Sequence, residues 1–142
     1  MMIVIPYKAD HLKVLMIQEA QQYMQVYISE ADTKALEQGH AYTGFKNGTV
    51  LICAGVMPIW KGRGLAWAYV AQQAGRHMVE LTKNVKRVLD TLPFNRIEAA
   101  VDVDFKPGHR WARLLGFELE VERMRKFRPD GGDSALYARV KQ

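Results

Sequence analysis

The 142 residues hold material for one domain with one core, since a domain near this size buries roughly 68–70% of its unfolded surface. Apolar residues make up 49% and charged residues 25%, ordinary for a globular protein, and no run is long and apolar enough to span a bilayer. The net charge of +5 favours an anionic partner over none, a solubilising charge being the plainer alternative, and the single cysteine, Cys53, excludes an intrachain disulfide and a cysteine-based metal site.

The opening MMIVIPYKADH lacks a basic segment followed by an apolar core, so no signal peptide is expected and a cytoplasmic location is the simple inference. No repeat, low-complexity run or linker interrupts the chain. Ile3–Ile5 reads as a short strand ended by Pro6. Asp10 suits the N-cap of a helix over about His11–Tyr27, with Leu12, Leu15, Met16 and Glu19 marking successive turns. Ala31–Gln38 reads as a second, short helix that Gly39 terminates. Ala41–Phe45 and Val50–Val56 are strands joined around Asn47-Gly48. Asn-Gly between apolar runs is the strongest short hairpin signal, because both central positions of a type I′ turn need positive φ.

The next segment admits two readings. Lys61-Gly62-Arg63-Gly64-Leu65-Ala66 resembles a glycine-rich phosphate loop, and a helix would then run from about Leu65 to Leu92. That helix would be roughly 42 Å long at 1.5 Å per residue, more than a domain of this size comfortably covers, and it would contain Gly75. In the second reading Trp60–Gly64 is a hairpin loop and Leu65–Val70 a third strand with Leu65, Trp67 and Tyr69 on one face. The helix then runs from near Arg76 to Thr91, roughly 24 Å, and Pro93 stops it. Met78, Leu81, Val85, Val88, Leu89 and Leu92 form its apolar stripe. The second reading is preferred, and it moves the candidate phosphate loop from Lys61–Ala66 to Ala71–His77.

Arg96–Val103 alternates Ile97, Ala99, Val101 and Val103 with Glu98, Ala100, Asp102 and Asp104, the period of a strand. Pro107 suits the first turn of a helix over Pro107–Leu115, and Gly116 its left-handed cap. A hairpin of Phe117–Met124 with Ala135–Val140 closes the chain, its loop carrying Pro129-Asp130-Gly131.

A meander, a helix, a strand, a helix ending in Gly-Phe and a final hairpin together resemble the GNAT (Gcn5-related N-acetyltransferase) superfamily. In layout the chain is similar to small phage-encoded GNAT-like proteins, some of them linked to virion assembly. The resemblance implies one α/β (α+β) domain over residues 1–142, with a mixed, mostly antiparallel sheet flanked by helices. It implies an acyl-CoA-dependent N-acyltransferase with acetyl-CoA as donor and an amine as acceptor. In that family the third meander strand and the strand after the long helix diverge, and acyl-CoA slots between them. Its pyrophosphate rests on backbone N–H groups where that helix starts, a place that favours anions. The implied cofactor residues are Val70, Gln72, Ala74, Gly75, Arg76 and His77. Gln72-x-x-Gly75-x fits the family pattern, but His77 replaces its small last residue.

The family's usual acid, a Tyr four residues before the Gly of Gly-Phe, is Ala112 here. Tyr69 or His109 could substitute. No carboxylate stands on Leu65–Val70 to act as base. Glu98 and Asp102 share one face of the next strand, about 13 Å apart, so they are no tight dyad, and Asp102 lies nearer its C-terminal end. The catalytic candidates are therefore Tyr69, Asp102 and His109, each with a plainer reading as core or solvated surface. His40, His77 and His109 lack metal-ligand spacing, so no metal is expected. Trp67 and Trp111 read as core, while Trp60, beside Lys61 and Arg63, is the better candidate for ligand contact. Arg123, Arg125, Lys126 and Arg128 make a basic cluster that reads either as a charged edge or as a contact for an acidic protein, nucleic acid being less favoured. A homodimer stays open. So does the other reading, a catalytically inactive GNAT-fold binding or structural protein of phage origin, virion-associated or acting in host interaction.

Overall fold

The computed structural model describes residues 1–142. Four strands, β1 (Ile3–Pro6), β2 (His40–Lys46), β3 (Thr49–Trp60) and β4 (Arg63–Val70), form an antiparallel meander. Asn47 and Gly48, at φ 52° and 76°, make the β2–β3 turn the type I′ form that Asn-Gly favours. Lys61-Gly62 turns β3 into β4, with Gly62 at φ 90°. The glycine-rich stretch Lys61–Ala66 is thus a tight turn and the start of a strand, as the helix-length argument requires. A short 3₁₀ helix, Gln72–His77, leads from β4 into α3 (Met78–Thr91). Two helices precede β2: α1 (Ala9–Val14) and α2 (Glu30–Ala35). Ser29 caps α2, its hydroxyl accepting from the N–H of Asp32. After α3 come β5 (Arg96–Asp102), α4 (Lys106–Leu114) with Pro107 in its first turn, and the hairpin β6 (Glu118–Met124) with β7 (Ser134–Val140). Gly116 ends α4 at φ 92°.

The seven strands form one sheet in the order β1-β2-β3-β4-β5-β7-β6, so β7 inserts between β5 and β6. Only β4 and β5 are parallel neighbours, and they pair over three positions alone: Arg63 with Arg96, Gly64 with Ile97, Leu65 with Glu98. Beyond Leu65, β4 stays with β3 as far as Val70, and β5 stays with β7 as far as Asp102. The sheet therefore splits. Gly64 permits the close approach at the joined end, where a Cβ would meet Val56 at 2.3 Å and the Phe94 ring at 3.1 Å.

On one face α3 and α4 cover two buried clusters. One gathers around Val56, Leu89, Leu92, Ile97, Leu115 and Tyr137, the other around Leu51, Ile52, Val70 and Leu81. On the opposite face Tyr7, Leu15, Ile17, Val50 and Cys53 pack beneath the N-terminal helices, and burial lifts the Cys53 thiol to about 11. No helix is long and apolar enough to cross a membrane.

The expected helix over His11–Tyr27 breaks into three parts. The chain leaves α1 at Leu15, runs extended, and re-enters a 3₁₀ helix at Glu19–Val26. Tertiary pairing overrides the helical spacing. Ile17 bridges Ala71, Gln18 donates its N–H to the carbonyl of Val70 at 2.8 Å, and Gln72 donates to that of Met16 at 2.8 Å. Burial alternates with them: Leu15 and Ile17 are buried, Val14 and Met16 exposed. Asp10 lies inside α1 rather than capping it.

Candidate functional site

The joined end of the split is held by charge. Glu98 is only 6% exposed, and its carboxylate accepts from Arg63 at 2.6 and 2.9 Å and from Arg96 at 2.7 Å. The hydrogen bonds from Arg63 and then Arg96 hold this carboxyl down to about 2, against the opposing effect of burial. Arg96 reaches on to Glu120 at 3.0 Å. The guanidinium of Arg63 lies 4.6 Å from the centre of the Trp60 ring. Trp60 is 63% exposed, so its outer face remains free.

The open end encloses a cavity of about 420 Å³ that passes through the sheet between β4 and β5. Val70, Tyr69 and Asp102 line it, together with Ala112 and Trp111 of α4 and with Gln21 and Tyr23 of the 3₁₀ helix Glu19–Val26. That helix straddles the split. The Gln21 carboxamide sits on the unpaired edge of β4, donating to the carbonyl of Ala68 at 2.7 Å and accepting from the N–H of Val70 at 3.0 Å. Across the gap the Tyr23 hydroxyl donates to Asp102 at 3.2 Å, and Arg128 from the β6–β7 loop stands 3.2 Å from the same carboxylate and 4.4 Å from the Tyr23 ring centre. Burial raises the pKa of Asp102, with the Arg128 charge pulling the other way. Burial, then the Asp102 charge, lifts Tyr23 to about 12. Tyr69 is also raised, chiefly by burial.

Of the residues singled out in the sequence, the fold brings Tyr69, Val70 and Asp102 to this cavity. His109 is not among its lining residues. Both its ring nitrogens are engaged, Nδ1 with the Tyr137 hydroxyl at 2.7 Å and Nε2 with the carbonyl of Val103 at 2.9 Å. Gln72, Ala74, Gly75, Arg76 and His77 form the short 3₁₀ helix before α3. Ala74 is buried, whereas a Cβ at Gly75 would meet nothing within 4 Å, so its backbone faces open space. Gln72 is committed to the N-terminal segment, through its N–H and through its side chain to the carbonyl of Ile17 at 3.3 Å. The Arg123–Arg128 cluster is partly neutralised. Arg123 pairs with Asp133, and Arg128 with Asp130 and Asp102.

Sequence reasoning missed Gln21, Tyr23 and the buried state of Glu98. Gln21 and Tyr23 carry no local signal, since each meets a partner far along the chain. Glu98 has one readable clue: Arg96 stands two residues before it, on the same strand face.

No protein-family profile matches the sequence. No curated protein matches it either. Solved structures do match in shape. Ard1 from Thermoplasma volcanium superposes with a TM-score of 0.80 at 13% identity, covering 99% of this chain and 98% of that one. A chimera of the spermidine N-acetyltransferase SpeG from Vibrio cholerae with hSSAT gives 0.72 at 12% identity, over 98% and 95%. A GNAT family acetyltransferase from Elizabethkingia anophelis with acetyl-CoA bound gives 0.69 at 14% identity, over 99% and 98%. The fold is that of the GNAT acetyltransferases, over the whole chain.

Proposed function

We propose that this chain is an acyl-CoA-dependent N-acyltransferase that works in the β4–β5 split. One observation carries the reading: a half-buried carboxylate, Asp102, stands at the mouth of a cavity that passes between two diverging parallel strands. The residues present fit such a donor in part. Gly75 leaves backbone open at the approach to α3, and exposed Arg76 adds positive charge for a phosphate. Gln72 is already occupied by the N-terminal segment. When bound, acyl-CoA, with acetyl-CoA the donor that the layout implies, would supply an activated carbonyl carbon.

Asp102 takes the proton from the incoming amine. Its raised pKa makes it a stronger base than an ordinary carboxylate, while Arg128 keeps it ionised. Tyr23 and Arg128 fix its orientation. Tyr69, which lines the same cavity and is kept protonated by burial, returns a proton to the leaving thiolate. Calorimetric titration with acetyl-CoA, followed by a free-thiol assay over polyamines, aminoglycosides and peptide N-termini, tests the reading. Binding with thiol release on at least one amine supports it, and no binding of any acyl-CoA overturns it. Ala112, where the family carries its acid, favours a second reading as a non-catalytic binding protein. Binding without turnover on every amine would support that one.

A further inference from the structure

On the helix face the core is discontinuous. The inward stripe of α3 is buried at Leu81 (0% exposed) and Leu89 (6%), yet Val85 and Val88 between them stay half-buried. The side chains beneath are short: Ala54 on β3, Ala66 and Ala68 on β4 and Ala99 on β5 pack at the edges of the two clusters and stay half-buried themselves. These residues border the two buried clusters from the inside, with Val85 and Trp111 touching both. The seam between the clusters is part of the 420 Å³ cavity. Protein interiors keep few voids larger than a water molecule, whereas cavities of about 300–1,000 Å³ with mostly apolar walls are ligand sites. The only charged residues on its lining, Asp102 and Arg128, sit at the mouth of the split.

We infer that this seam holds the hydrocarbon chain of the donor, and that the donor is a medium-chain acyl-CoA rather than acetyl-CoA. The inference rests on the acyltransferase reading. A thioester carbonyl placed beside Asp102 has its acyl chain attached to the same carbon, and the cavity continues from there into the alanine-lined seam. In the transfer the amine nitrogen bonds to the carbonyl carbon and the C–S bond breaks. The amine proton goes to Asp102, and the thiolate leaves with the sulfur electron pair and takes a proton from Tyr69. The products are an N-acyl amide and free CoA. An acetyl group would leave the seam empty. Ala112 matters here, because any larger side chain at that position would narrow the seam.

Calorimetric titration with CoA, acetyl-CoA, octanoyl-CoA and octanoate tests this. Each methylene removed from water tightens binding roughly fourfold, so octanoyl-CoA is expected to bind at least about 100-fold more tightly than acetyl-CoA. Filling the seam from the sheet side by Ala66→Leu, or from the helix side by Val88→Phe, should cut the octanoyl-to-acetyl affinity ratio at least about tenfold; either variant suffices if the other does not fold. Equal affinity for acetyl- and octanoyl-CoA overturns the chain-length inference and leaves the acyltransferase reading standing. Octanoate binding with no response to CoA or either thioester overturns both, the seam then being a site for a free fatty acid. No binding of any of the four overturns both as well.

Discussion

Where β4 and β5 are joined, three residue pairs and a carboxylate between two arginines hold them; a few residues further along, the same strands part, alanines line the gap and a glutamine covers the β4 edge. The joined end spends charge on geometry. Glu98, Arg63 and Arg96 fix a parallel register that short pairing alone would leave weak, and Gly64 lets the backbones close. The open end uses small side chains to make room. Ala66, Ala68 and Ala99 continue the same strands but offer only a methyl group each, with no side chain to hydrogen-bond across the gap. A cleft in a sheet needs both, a clamp that stops the separation and a stretch that allows it.

Four changes would break or sharpen that contrast. The largest effect is expected at the mouth of the open end. Asp102→Asn keeps the shape but cannot take a proton, so turnover in the thiol assay should fall by about 10²–10⁴-fold. Only the ionised form acts as base, so wild-type rates should climb with pH through a midpoint above the ordinary Asp value of about 3.9, and the Asn variant should lack that limb. A wild-type rate indifferent to the substitution would remove Asp102 from the chemistry.

At the clamp, Glu98→Gln leaves two arginines facing each other with one neutral acceptor. Unfolding in urea should show a loss of about 2–3 kcal/mol, below the full cost of breaking a buried pair because both arginines are partly exposed. The depressed pKa sets the sign with pH. The stabilisation from Glu98 is complete above its unfolded pKa of about 4.3 and is lost as pH falls toward the folded value of about 2. The Gln variant should therefore have a flatter acid limb.

Gln21→Ala uncovers the β4 edge at a cost of about 1 kcal/mol. Hydrogen exchange should quicken at the Val70 amide and stay unchanged at Glu98. Equal quickening at both would mean that the two ends do not behave separately. The smallest effect belongs to the hairpin. Arg123→Ser together with Arg125→Ser removes one exposed ion pair, and the melting temperature should shift by an amount corresponding to about 0.5 kcal/mol or less.

Local chemistry made much of the fold legible in the sequence. Asn47-Gly48 needs its primed turn, Pro107 and Gly116 bracket α4, and Pro93 follows the end of α3. The choice of β4 over a long helix came from length, a global constraint. The N-terminal segment defeats a local reading because Leu12, Leu15 and Met16 fit a helical stripe, while the pairing of Ile17 with Ala71 that decides the outcome lies far away in sequence. The candidate site divides in the same way. Tyr69 and Asp102 follow from strand alternation, whereas Gln21 and Tyr23 reach partners 47 and 79 residues away and leave no periodic trace.

The Gln21 contact has a bearing on solubility. A sheet that splits exposes an internal edge, and unpaired N–H and C=O groups on an edge invite another strand to add. A fixed neighbouring strand would remove that hazard and the cleft with it. Here one side chain supplies a donor and an acceptor to Ala68 and Val70, and the Gln18 N–H caps the last carbonyl. The edge is satisfied by one side chain and one backbone N–H from the N-terminal segment rather than by a paired strand. The internal edge is thereby hydrogen-bonded without the opening being sealed.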